Sequence, residues 1–161
     1  MPPARPSRAV LPPIRAAASR LDDVHPSVEA YLALVQSLGT VRPWEPFWER
    51  CFRYDLQEVP GGVRARTSAA AVLEDFAYGE AHDPAALWPL LQRPALLLRA
   101  GEPILPADST HPGAWVLAQA DVPRFLATVP DAEAEEVGAN HYGIVAAPRT
   151  GELVAEFLGH R

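Results

Sequence analysis

The segment Pro94-Ala95-Leu96-Leu97-Leu98-Arg99-Ala100-Gly101-Glu102 decides the fold. An apolar run this short, bounded by a proline and a glycine, reads as a buried strand of a parallel sheet. Leucine and alanine are not strong strand formers, so length and boundaries carry the reading. Downstream, residues 101–112 form a proline-rich loop. Helical sequence follows over residues 114–128, interrupted near Asp121-Val122-Pro123. A second, Glu-rich strand is predicted over residues 132–137, then a turn over 138–142. Residues 148–158 predict a C-terminal helix whose face is Leu153, Val154, Phe157 and Leu158, with Gly159 closing it. Strand, helix, strand, helix is the grammar of an α/β chain with a parallel sheet and right-handed crossovers.

Upstream the period is helical. A short helix is expected over residues 11–21, after a loose Pro- and Arg-rich start. Ser27 can cap a clearer helix, in which Val28, Tyr31, Leu32, Val35 and Leu38 share a face and Gly39 ends it. A second amphipathic helix places Trp44, Phe47, Trp48, Cys51 and Phe52 together. Core packing is the favoured reading of these aromatics, and the lining of an apolar ligand pocket is the alternative. Pro60-Gly61-Gly62 marks a turn. A helix beginning at Thr67 or Ser68 should run to about Tyr78 with Val72, Leu73 and Phe76 inward. Asp83-Pro84 opens a short helix carrying Leu87, Leu90 and Leu91, bent or shortened by Pro89.

Composition excludes several classes of function. The chain has 161 residues, enough for one domain with a real core, and a net charge of −6. Its basic residues are all arginine, and nothing concentrates them for a phosphate backbone, so nucleic acid is not an expected partner. The longest strongly apolar run, residues 94–100, is too short to cross a bilayer, and the first residues do not form a secretory signal. The single Cys51 cannot make an internal disulfide, which fits a cytoplasmic protein.

Five histidines bear on chemistry: His25, His82, His111, His141 and His160. No pair has the i, i+4 spacing of a helical metal site, so neither a metal nor any other cofactor is expected. His25, His82 and His160 read as solvated surface residues. His141, in Gly138-Ala139-Asn140-His141-Tyr142, follows a strand, where parallel sheets keep catalytic groups. A histidine there can take and return a proton near neutral pH, although position alone also suits a structural role. Glu102 stands at the matching exit of the first strand, with Asp108 as the nearby alternative. A carboxylate there could fix the imidazole tautomer and stabilise its cation, or simply be a loop residue.

The run from Pro94 to Glu102, followed by Pro103-Ile104-Leu105-Pro106, resembles the penultimate strand and acid loop of the α/β-hydrolase superfamily. The segment Val137-Gly138-Ala139-Asn140-His141-Tyr142 and its following helix resemble that family's terminal, histidine-bearing segment. The resemblance implies a partial α/β-hydrolase fold: a Pro/Ala/Arg-rich segment over 1–26, a helical cap over 27–92, and the last two parallel strands with their helices over 93–161. It further implies that His141 is the triad base and Glu102 its acid, in a loop shorter than the family's and with Glu where Asp is commoner. Trp44, Phe47, Trp48, Phe52 and Tyr142 would help bind a small hydrophobic acyl-type substrate, an ester or thioester. No serine lies in Gly-x-Ser-x-Gly, so the nucleophile elbow and the N-terminal strands are missing from these residues. The chain is therefore expected to be inactive alone and to need an N-terminal hydrolase half, or to self-associate through its unpaired strand edges. The alternative is a non-catalytic remnant or a small module that binds a hydrophobic ligand or partner.

Overall fold

The computed structural model describes residues 15, 17–105 and 115–159. Asp108, His111 and His160 lie outside the described residues, as do most of the segment 1–26 and part of the loop 101–112.

Ser27 caps helix α1 (Val28–Ser37): its hydroxyl accepts from the Ala30 amide at 3.1 Å. Gly39 follows with φ +62°, a left-handed conformation that costs glycine little. Helix α2 (Pro46–Tyr54) starts on a proline, whose missing N–H would have no partner in a first turn anyway. Strands β1 (Leu56–Val59) and β2 (Gly62–Ala65) then pair antiparallel, Leu56 opposite Ala65 and Val59 opposite Gly62. This hairpin corrects the all-helical expectation for residues 27–92. The turn at Pro60-Gly61-Gly62 was legible, but its flanks are only four residues each and carry little periodic signal. The hairpin is extended by His25, which exchanges two 2.8 Å backbone hydrogen bonds with Val63. Helix α3 (Ala69–Ala81) is capped by Ser68, and Asp83 caps a 3-10 helix over Pro84–Leu90. That 3-10 helix leaves Leu87 and Leu90 exposed, at 63% and 71%. Leu73, expected inward, is 38% exposed.

The decisive element is a parallel pair. Strand β3 (Ala95–Ala100) and strand β4 (Ala132–Val137) align along their whole length, from Ala95 opposite Ala132 to Ala100 opposite Val137. A 3-10 turn (Gln119–Asp121) and helix α4 (Val122–Thr128) lie in the connection between them. After β4 come a short helix α5 (Gly143–Ala146) and helix α6 (Pro148–Gly159).

Because side chains alternate along a strand, Leu96 and Leu98 share one face of β3. They pack on Val137, Ala139 and Leu153, so α6 covers that face. Arg99 is buried and forms an ion pair with its cross-strand neighbour Glu136, and its Nε donates to Leu117 O at 3.2 Å. A second apolar cluster joins Tyr31 and Leu32 of α1 to Leu56 and Val63 of the hairpin. A third is Ile104 and Leu105, with Val116 and Tyr142 against them.

Candidate functional site

Pairing of β3 with β4 continues past the strand ends. Gly101 N–H donates to Val137 O at 2.9 Å, and Glu102 N–H donates to Ala139 O at 3.0 Å. The backbone carrying Glu102 is thereby held against the turn that carries His141, two residues after Ala139. Both residues line a cavity of about 220 Å³, together with Arg99, Trp115 and Ile144. Glu102 is exposed. Among the described residues no carboxylate hydrogen-bonds the His141 ring. Its ring meets Tyr142 edge-on, with centroids 5.6 Å apart.

A larger cavity of about 380 Å³ is also lined by His141 and Tyr142 of this turn. It is mostly apolar, walled by α1 (Tyr31, Val35), by Val41 and Phe52, and by α3 (Val72, Phe76). His141, Ile104 and Val116 line both cavities. The His141 ring is open to solvent over part of its surface, yet enough of it faces apolar side chains to matter. Desolvation holds its pKa below the ordinary 6.5, because burial disfavours the imidazolium. A nearby carboxylate would push the other way. Burial likewise raises Tyr142 and Tyr31 above the ordinary tyrosine value, with Asp55 adding to the effect on Tyr31.

Of the aromatics singled out by sequence, Phe52 and Tyr142 line the larger cavity. Trp44 stacks on Phe52 at 5.7 Å, and Trp48 meets Tyr142 edge-on at 6.1 Å, so these two stand behind the wall. The Trp48 indole N–H is buried without an acceptor among the described residues. Phe47 packs edge-on against Trp48 and is partly exposed. The wall residues Tyr31, Val35, Val72 and Phe76 carry the same helical period as core residues, and that period cannot separate a cavity wall from a filled core. Cys51 is an exposed free thiol. No group of three His, Cys, Asp or Glu among the described residues could hold a metal ion, and no described helix is long and apolar enough to cross a membrane.

Asn140 is the residue sequence reasoning missed. It is fully buried, at 0% exposure. Its Nδ2 donates to Thr40 O at 2.6 Å and to Ile104 O at 3.3 Å, while its Oδ1 accepts from the Gly143 N–H at 2.8 Å. Its side chain therefore pins both ends of the His141 turn.

No protein-family model and no curated protein matches the chain. Among solved structures, the crystal structure of E-2-(acetamidomethylene)succinate hydrolase is similar, with a TM-score of 0.72 at 20% sequence identity. The likeness covers 99% of this chain and 55% of that one, so the chain spans about half the length of the hydrolase it resembles.

Proposed function

We propose, for a chain that has the fold of the C-terminal part of an α/β-hydrolase, that it supplies the general base, its carboxylate partner and the substrate cover of an acyl hydrolase. His141 is the base. Desolvation favours its neutral imidazole, which is the form that accepts a proton. Glu102 is the acid that orients it once the side chains close across the smaller cavity. The elements over residues 27–92 are the cap, and the apolar cavity beneath them receives the hydrophobic acyl group of an ester or thioester. The observation that carries this reading is the parallel register, which brings Glu102 and His141 to one end of the sheet and into one cavity. The nucleophile comes from polypeptide outside these 161 residues, since no serine here stands in Gly-x-Ser-x-Gly. Such a protein works in the cytoplasm, without a cofactor.

The test is hydrolysis of a chromogenic acyl ester by the chain alone and by the chain combined with a hydrolase N-terminal half bearing Gly-x-Ser-x-Gly. Activity that appears only in the combination, and disappears with His141→Ala, supports the reading. Equal activity in the His141→Ala combination removes His141 from the mechanism. A second reading, a binding module for a hydrophobic ligand without catalysis, is favoured by the absence of any carboxylate bonded to His141 among the described residues. It predicts that the chain takes up an apolar probe while no combination hydrolyses the ester.

A further inference from the structure

The three apolar clusters are separate among the described residues: one under α6, one between α1 and the hairpin, one around Ile104. An edge-on contact of Trp48 with Tyr142 bridges the helical region and the strand exits, and a set of polar contacts adds to it. The polar contacts gather around Arg42 and Asn140, which share one acceptor. Ile104 O accepts from Arg42 Nη1 at 2.9 Å and from Asn140 Nδ2 at 3.3 Å. The Arg42 guanidinium also donates to Pro103 O at 2.6 Å and to Gly39 O at 2.8 Å. Asn140 reaches Thr40 O on one side and the Gly143 N–H on the other. The segment after α1, the loop after β3 and the turn after β4 thus meet at one node.

We propose that Asn140, supported by Arg42, is a positioning residue for His141: a buried polar clamp that sets the turn bearing the imidazole and locks it to the helical region. The role of His141 rests on the hydrolase reading above, whereas the clamp rests on this geometry. The amide is satisfied in one orientation only, with Nδ2 toward two carbonyls and Oδ1 toward an N–H, so it cannot flip without losing its hydrogen bonds. The fit is also tight. A Cβ on Gly143 would stand 2.5 Å from Arg42 O and 3.2 Å from Asn140 Oδ1, so only glycine admits this close approach. Asn140 and Tyr142 flank His141 directly. Movement of the turn therefore changes how far the imidazole faces the apolar cavity. The other charged or titratable groups lining the two cavities that His141 shares are Arg20, His25, Tyr31, Glu102, Arg99 and Tyr142.

The experiment needs no substrate, so the clamp and the hydrolase reading stand or fall separately. Hydrogen exchange by mass spectrometry reports the peptide spanning residues 139–147, and the pH dependence of diethyl pyrocarbonate labelling reports each histidine. His82, stacked on Tyr78 at 3.9 Å and outside both cavities, is the internal control. In Asn140→Ala the peptide should lose protection roughly tenfold, as expected for the loss of buried hydrogen bonds. The labelling midpoint of His141 should rise toward that of an ordinary histidine, with His82 unchanged. Asn140→Asp keeps the acceptor for Gly143 but sets a carboxylate oxygen against the Thr40 and Ile104 carbonyls at a fully buried site, so it should lose at least as much protection as Asn140→Ala. Unchanged protection and an unchanged His141 midpoint in Asn140→Ala overturn the clamp, as does a wild-type peptide that is already unprotected. Should Asn140→Ala unfold the chain, seen as His82 changing in step with His141, then Arg42→Lys and Gly143→Ala, whose Cβ would press on Arg42 O, decide. A native His141 profile in both overturns the proposal.

Discussion

Leu153→Ala tests whether α6 is the platform on which the parallel pair and the His141 turn rest. Leu153 is 6% exposed and packs in one cluster with Val137, Ala139, Leu96, Leu98, Ile144 and Ala147. A buried leucine truncated to alanine costs about 2–5 kcal/mol, the sum of lost transfer energy and the cavity left behind. The neighbours here come from β3, β4 and α5, which are tied to one another and cannot all close the gap. About 3 kcal/mol is the expected cost, and for a chain of this size that lowers the melting temperature by about 6–12 °C. Urea unfolding followed by tryptophan fluorescence measures it. Leu158→Ala, on the same helix but 65% exposed, is the control and should cost less than about 0.5 kcal/mol. A Leu153→Ala cost as small as that of the control would mean that α6 does not bear on the sheet, and the account of how His141 is supported would fail with it.

Gly62 has φ +146°, and a Cβ there would overlap the carbonyl oxygen of His25, so Gly62→Ala should break the His25–Val63 bridge and cost about 1–3 kcal/mol in the same unfolding assay. The His141 pKa is lower in the folded than in the unfolded chain, so its contribution is full above pH 6.5 and is lost as pH falls through the folded value. His141→Gln should flatten the slope of stability against pH below 6.5, and an unchanged slope would count against desolvation of the ring. Val72→Trp, which places an indole in the larger cavity, should weaken uptake of an apolar fluorescent probe by about tenfold, equivalent to 1.4 kcal/mol, read as a titration midpoint.

Much of the frame was legible because its signals are local. Ser27, Ser68 and Asp83 cap helical elements through side-chain oxygens that reach amides two or three residues away. A capping residue next to a periodic apolar run announces a helix wherever it occurs. The β3 and β4 boundaries agree with the sequence reading because Pro94, Gly101 and Gly138 bound them. The β1–β2 hairpin escaped that logic. Its four-residue strands are stabilised by pairing with each other and by His25, from a distant position in the chain. The same limit applied to the aromatics. Trp44 and Phe52 stack on each other, but nothing in their spacing says that Phe52 faces a cavity while Trp44 stands behind it.

What the sequence determined by itself was an order of elements and two residues at strand exits, Glu102 and His141. Hydrophobic period and turn chemistry act over a few residues and are written where they act. What tertiary structure decided was the register of the parallel pair and that His141 lines two cavities. It also decided that an unremarked asparagine joins Thr40, Ile104 and Gly143. Those contacts link positions far apart in the chain, and their energy depends on burial that exists only once the helical region and the strands have come together.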